Sequence, residues 1–174
     1  MNISDFIRVY DDIVPGDVCD SLIELFESRT PEVHDTPGYK FHQVNLMAGD
    51  DITPGVDLVQ RVIPLIDLYM QDVGFYGNPL PLTHFEDVRI KRYTPGGEFK
   101  MHVDVNDHAS ARRALIFIVY LNDNDGDTFF PHGGVRVQPK KGRVAIFPPF
   151  WMFPHSGTPP TTTKYIAMSA VHYT

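Results

Sequence analysis

From Val88 onward the chain is a series of short segments: VRIKRY, EFKMHVD, ALIFIVYLN, DTFFP, VRV, RVAIF and KYIAMSAVHY. Each is rich in β-branched or aromatic residues, and Gly, Pro, Asn or Asp separates it from the next. No helix fits between such breaks, so this half of the chain is confined to closely spaced strands in a sandwich or barrel. ALIFIVYLN is apolar on both faces and reads as a central strand. The first half is punctuated differently. Cys19, Leu22, Ile23 and Phe26 fall at i, i+3, i+4 and i+7 after Pro15-Gly16-Asp17, which predicts a one-faced helix.

A second helix is predicted from Thr53-Pro54, with Thr53 as cap and Val59, Ile63, Ile66 and Met70 on one stripe. Pro64 interrupts that stripe and predicts a kink or two short helices, because proline removes a donor and crowds the preceding turn. Between the helices KFHQVNL reads as a strand in a polar region, and residues 34–55 are expected to cover the site as a lid. The fold class expected is α+β, mainly β, with N-terminal helices packed on one sheet. One domain is expected over 1–174, with a helical part over about 1–85 and a β core over about 86–174. At 174 residues such a chain buries a core without cross-links.

Charge and cysteine content narrow the function classes. Fifteen Lys and Arg against 22 Asp and Glu give a net charge of −7, which lacks the basic footprint of a nucleic-acid or anionic-membrane binder. Cys19 is the single cysteine, so no disulfide forms within the chain. The opening MNISDFIRVYDD shows no basic stretch leading into an apolar one, and no apolar run approaches the ~20 residues of a membrane span. A cytoplasmic location, with neither nucleic acid nor membrane as partner, is expected.

The chemistry centres on RYTPGGEFKMHVD. His102 and Asp104 are two residues apart on a strand, so both project from one face, about 6–7 Å apart. A solvated edge and a metal site are both compatible with that spacing. A third ligand has to come from another strand. His108 lies in the turn NDHAS and His132 in FFPHGG, whereas His155 lies among Phe147, Trp151 and Phe153, where an imidazole needs a partner for each nitrogen. Two histidines and a carboxylate suit a non-haem Fe(II) oxygenase, and zinc hydrolases use similar sets. Lys164, nine residues after His155, opens a strand that otherwise reads as interior. It is read either as a buried cation needing an anion or as a strand-edge lysine reaching solvent. His34, His42 and His84 read as solvated, and LNDNDGD reads as a turn lacking the length and terminal glutamate of a calcium loop.

The segments RYTPGGEFKMHVD, RRALIFIVYLND, GDTFFP, VQPKKGRVAIFPP and HSGTPPTTTKY, in this order between Arg89 and Tyr165, resemble the 2-oxoglutarate/Fe(II)-dependent dioxygenases, and specifically their prolyl 4-hydroxylase branch. The resemblance implies a double-stranded β-helix, or jelly roll, with Fe(II) and 2-oxoglutarate as cofactors, O2 as cosubstrate and ascorbate as reductant. It implies that His102, Asp104 and His155 hold the iron, and that Lys164 pairs with the 5-carboxylate of 2-oxoglutarate. Tyr120 would hydrogen-bond the same carboxylate, Tyr93 would line the cosubstrate end, and Arg113 would lie near the substrate entrance. Trp151, in FPPFWMFPH, is a candidate for the mouth of the substrate site. No catalytic residue is expected beyond the metal ligands. The activity implied is hydroxylation of a prolyl residue in a peptide or protein, with release of succinate and CO2. The tryptophan that many of these enzymes carry on the strand after the cosubstrate lysine is absent from IAMSAVHY. The same chemistry on a free amino acid, another small molecule or an alkylated nucleobase is the first alternative; a non-catalytic cupin-like metal- or ligand-binding barrel and a zinc hydrolase are the others.

Overall fold

A computed structural model describes residues 2–74, 82 and 84–173. The strands are β1 (Arg8–Tyr10), β2 (Glu32–Thr36), β3 (Tyr39–Asn45), β4 (His84–Phe85), β5 (Arg89–Tyr93), β6 (Phe99–His102), β7 (Arg113–Tyr120), β8 (Thr128–Phe130), β9 (Val135–Val137), β10 (Val144–Phe147), β11 (His155–Gly157) and β12 (Lys164–His172). Two helices, α1 (Gly16–Ser28) and α2 (Thr53–Asp72), precede β4. The strands join in the order β1-β10-β7-β12-β5-β3-β6-β11-β8-β9, with β2 added to β3 and β4 to β12. All these pairings are antiparallel, and the sheet curls into a nearly closed jelly-roll barrel. Among the described residues no helix is long and apolar enough to cross a membrane.

The alternation of side chains along the strands makes two cores. Facing the helices, Ile90, Phe117, Val119, Ala167 and Val171 meet Cys19, Leu22 and Phe26 of α1 and Leu58, Val62 and Tyr69 of α2. Facing the barrel interior, Tyr93, Ile116, Ile118, Phe130, Phe147 and Ile166 form a second cluster. β7 lies between β10 and β12 and is buried from Ala114 to Tyr120, as its doubly apolar sequence predicts. β12 is the hub: it pairs with β4, β5 and β7.

Two expectations are corrected. The helix from Thr53 is one continuous element through Pro64, so the alternative of two short helices does not form, and Pro64 is on its exposed side. Its N-cap is Ile52, one residue earlier than expected, and the Thr53 amide donates to Asp51 Oδ1, two residues back, at 2.9 Å. The strand expected at KFHQVNL is β3, which pairs with β5 from His42 to Asn45 and meets β6 where Tyr39 pairs with Phe99. The helical half therefore supplies a strand to the middle of the barrel.

Candidate metal centre

The TPGG turn delivers β6 to the barrel. Gly96 adopts φ +77°, a left-handed conformation that favours glycine, and a Cβ on Gly97 would lie 2.9 Å from the carbonyl oxygens of Lys40 and Thr94. The chain that leaves this turn carries His102 at the end of β6 and Asp104 two residues on. Across the ladder His102 is in register with His155 of β11, so the antiparallel pairing sets the two imidazoles side by side, with ring centroids 4.3 Å apart. Asp104 lies beyond the strand end, held by its amide donating to the Pro149 carbonyl at 3.2 Å. Arg113, the first residue of β7, donates to the Asp104 carbonyl at 2.6 Å while its other nitrogens fork onto Glu86 at 2.6 and 2.9 Å.

His102, Asp104 and His155 each offer one ligand atom, all within 4.8 Å of one another. His102 Nδ1 lies 2.8 Å from the Lys100 carbonyl and His155 Nδ1 3.1 Å from the Phe153 carbonyl. A carbonyl only accepts, so both Nδ1 atoms carry the proton and both Nε2 atoms present a lone pair. Those lone pairs face the carboxylate: His102 Nε2 is 3.7 Å from Asp104 Oδ1, and His155 Nε2 is 3.4 Å from Asp104 Oδ2. Oδ2 is buried without a hydrogen-bond partner. Acceptors turned toward one another out of water repel unless a cation lies between them, so this donor set fits a divalent metal ion. Burial among Phe130 and Phe147 pushes the His155 pKa down to about 4, which keeps that imidazole neutral. Burial alone would raise the Asp104 carboxyl, but the charges around it, Lys91 among them, outweigh it and hold the group below its usual range.

From this cluster the cavity runs two ways. Outward it opens into a cleft of about 620 Å³ bounded by Arg89, Lys91, Lys100, Met101, Asn106 and Arg113, among others. Inward it continues past Tyr93, Ile118, Thr128 and Gly157 to Lys164. Lys164 is 3% exposed. Its Nζ donates to the Gly126 carbonyl at 2.8 Å and stands 4.7 Å from the centre of the Tyr93 ring. Among the described residues it has no carboxylate within ion-pair distance. Burial lowers its pKa to about 8, against the pull of Asp127 and Asp125.

The remaining expected residues are placed as follows. Tyr93 lines the inner cavity. Tyr120 is fully buried behind the wall and donates to Thr128 Oγ1 at 2.7 Å, so Thr128 and not the phenol is on the lining. Arg113 borders the cleft with its guanidinium engaged by Glu86 and Asp104. Trp151 is 75% exposed on the loop before β11 and is not among the residues that line the cleft. Thr128 and Lys91 are among the lining residues not singled out from sequence. Thr128 followed from DTFFP only as a strand start. Lys91 was legible in principle, because it is two residues before Tyr93 and shares its face.

Residues 88–172 match the profile of a family described as the 2OG-Fe(II) oxygenase superfamily. A curated "Putative prolyl 4-hydroxylase" of Acanthamoeba polyphaga mimivirus is 29% identical over a stretch covering 40% of this chain. The match spans 34% of that relative's length. Among solved structures, a viral collagen prolyl hydroxylase from Paramecium Bursaria Chlorella virus-1, determined with 2OG, superposes with TM-score 0.72 at 21% identity, covering 97% of both chains. A Pseudomonas putida prolyl-4-hydroxylase gives TM-score 0.77 at 16% identity, over 97% of this chain and 93% of its own. A Trichoplax adhaerens prolyl hydroxylase in complex with a hypoxia inducible factor peptide gives 0.76 at 12%, over 98% and 84%. At these identities the structural likeness speaks for the fold.

Proposed function

We propose that this chain, which belongs through residues 88–172 to the 2OG-Fe(II) oxygenase superfamily, hydroxylates a prolyl residue of a peptide or protein. Fe(II) and 2-oxoglutarate are its cofactors, and His102, Asp104 and His155 are the residues that would hold the metal. Iron bound there would supply the redox chemistry by which one oxygen atom of O2 enters a C–H bond and the other enters succinate as 2-oxoglutarate loses CO2. The observation that carries this reading is the convergence of two Nε2 lone pairs and the unpartnered Asp104 Oδ2, with a buried lysine further inside the same cavity.

The protein's own part is binding, orientation and exclusion of water. The carbonyls of Lys100 and Phe153 fix the tautomer of each histidine, and Arg113 ties down the backbone that carries Asp104. Lys164 Nζ meets the far carboxylate of the cosubstrate, exchanging a neutral carbonyl for an anion in a site where a buried ammonium needs one. Tyr93 and Thr128 border that carboxylate's position, with Tyr120 holding the Thr128 hydroxyl. Phe99, Ile116, Ile118 and Met168 wall the space between lysine and metal and leave little room for water. The prolyl assignment is supported by the prolyl hydroxylases among the relatives and structural neighbours and by an open cleft large enough for a peptide segment.

The test is an anaerobic titration of apo-protein with Fe(II) and then 2-oxoglutarate, followed by the visible charge-transfer absorption. His102→Ala is expected to abolish the band, and Lys164→Ala to demand ~10–100 times more 2-oxoglutarate, the worth of a charge-assisted hydrogen bond. Addition of O2 with proline-containing peptides is then expected to add one oxygen atom to a peptide. A metal-loaded protein that shows no band would remove the chemical basis of the reading.

A further inference from the structure

Arg89, Lys91 and Tyr93 project from one face of β5, into the cavity, while Ile90 and Arg92 face the helices. Tyr93 is opposite Lys164 in the ladder, and Lys91 is opposite Ile166, one side-chain step toward the mouth, about 6–7 Å along the strand. The cavity thus holds two lysines at different depths. Lys164 is at the closed end, and Lys91 stands where the inner cavity meets the open cleft, lining both beside His102 and Asp104.

Lys91 is only 9% exposed. Its ammonium lies 4.5 Å from the Phe41 ring centre and 4.9 Å from that of Phe99. Among the described residues its Nζ has neither a hydrogen bond nor an acid within ion-pair distance. The other cations around the cleft are already engaged: Arg113 by Glu86, Arg89 by Asp87 at 3.8 Å, and Lys100 by Glu98 at 3.8 Å. Two ring faces compensate only part of the cost of burying a charge. Burial lowers the Lys91 pKa to about 8 against the pull of Asp104, and that carboxylate's charge would be taken up by a divalent ion in the neighbouring triad. An anion is therefore missing on the substrate side of the metal.

We infer that Lys91 is an anchor for a carboxylate carried by the substrate, so that this enzyme selects an acidic substrate. The group is an Asp or Glu side chain, or a free α-carboxylate, placed close to the carbon that is oxidised. This rests on the oxygenase reading and narrows its substrate class. A carboxylate could also come from the cosubstrate, whose metal-chelating end lies nearby, and the experiment separates the two.

Protein loaded with Mn(II) and 2-oxoglutarate is titrated without O2, by calorimetry, with matched probes that differ in one charge. The pairs are end-blocked Gly-Pro-Asp against Gly-Pro-Asn, and L-proline against L-prolinamide. Saturation by 2-oxoglutarate is measured first; its failure in the unmutated protein would count against the oxygenase reading itself. With that binding in place, the unmutated protein is expected to prefer the carboxylate member of at least one pair by about tenfold or more. Lys91→Met, close in volume and uncharged, is expected to lose that preference while its affinity for 2-oxoglutarate stays within about twofold and its melting temperature holds. No carboxylate preference across the panel, including no binding at all, overturns the inference. So does a preference that survives Lys91→Met, or a Lys91→Met protein that instead binds 2-oxoglutarate about tenfold more weakly.

Discussion

A lysine sealed into a barrel is a conditional cation. Lys164 has its pKa lowered to about 8 by burial, so in the free protein the charge that would receive the cosubstrate disappears as pH rises through that value. An incoming carboxylate favours the ammonium, so binding takes up a proton above pH 8 and affinity falls, toward tenfold per pH unit. Below about 7 the affinity is expected to be flat in pH. Lys164→Arg keeps its charge throughout, and its 2-oxoglutarate dissociation constant, measured with Mn(II) from pH 6.5 to 9.5 as roughly spaced points, is expected to show no such rise. An equal slope in both proteins would assign the dependence to something other than this side chain. At the residue scale, the three side chains that the fold brings together were legible as local patterns. The two-residue spacing of His102 and Asp104 and the apolar surroundings of His155 are short-range facts. Lys91 was passed over although it shares the face of Tyr93, because a lysine in VRIKRY looks like a solvated strand residue. The pairing of β5 with both β3 and β12 makes that face an interior one.

Elements show the same division. β7 announced itself through eight nearly continuous apolar residues, and α1 through its 3.6-residue stripe. β3 was legible as a strand but not as the middle of a barrel, since no local signal says that Gln43 pairs with Lys91, 48 positions along the chain. α2 is the instructive case, because the local rule against Pro64 is real and tertiary packing overrides it. Val62, Leu65, Ile66 and Tyr69 are buried around it, and that burial carries the helix past the missing donor. The ring itself faces outward and packs no core. Pro64→Ala should restore the i→i−4 bond without opening a cavity, stabilising the protein by about 1–3 kcal/mol and raising Tm by about 2–4 °C per kcal/mol. A lowered Tm would mean that the proline's constraint on the unfolded chain outweighs the lost bond.

At the scale of the molecule, the helices and strands are tied together by carboxylates. Glu27 of α1 accepts from Tyr165 of β12 at 2.6 Å and from Arg92 of β5 at 2.9 Å, and these bonds lower its pKa. Asp11, after β1, accepts from Arg143 before β10 at 2.6 Å and is lowered by that bond. Burial alone would raise Glu86, but Arg113 and His172 outweigh it and the net shift is again downward. A carboxyl whose pKa is lower folded than unfolded stabilises the fold fully above its unfolded value, and loses that contribution as pH falls through the folded one. Urea midpoints are therefore expected to stay level near neutrality and to drop below about pH 5, with Tyr165→Phe and Glu27→Gln each reducing the acid sensitivity by weakening or removing one tie. Unchanged acid sensitivity in Glu27→Gln would show that the tie contributes nothing to it.

The hub position of β12 also bears on how the enzyme comes into being. Lys164 opens this strand, which pairs with β4 and completes the second side of β5 and of β7. A ribosome making the chain therefore releases His102 and Asp104 long before the strand that closes the barrel behind them. During that interval the residues that would hold the metal have no compartment around them. The inner cavity that would receive the cosubstrate exists only once β12 has paired with β5 and β7.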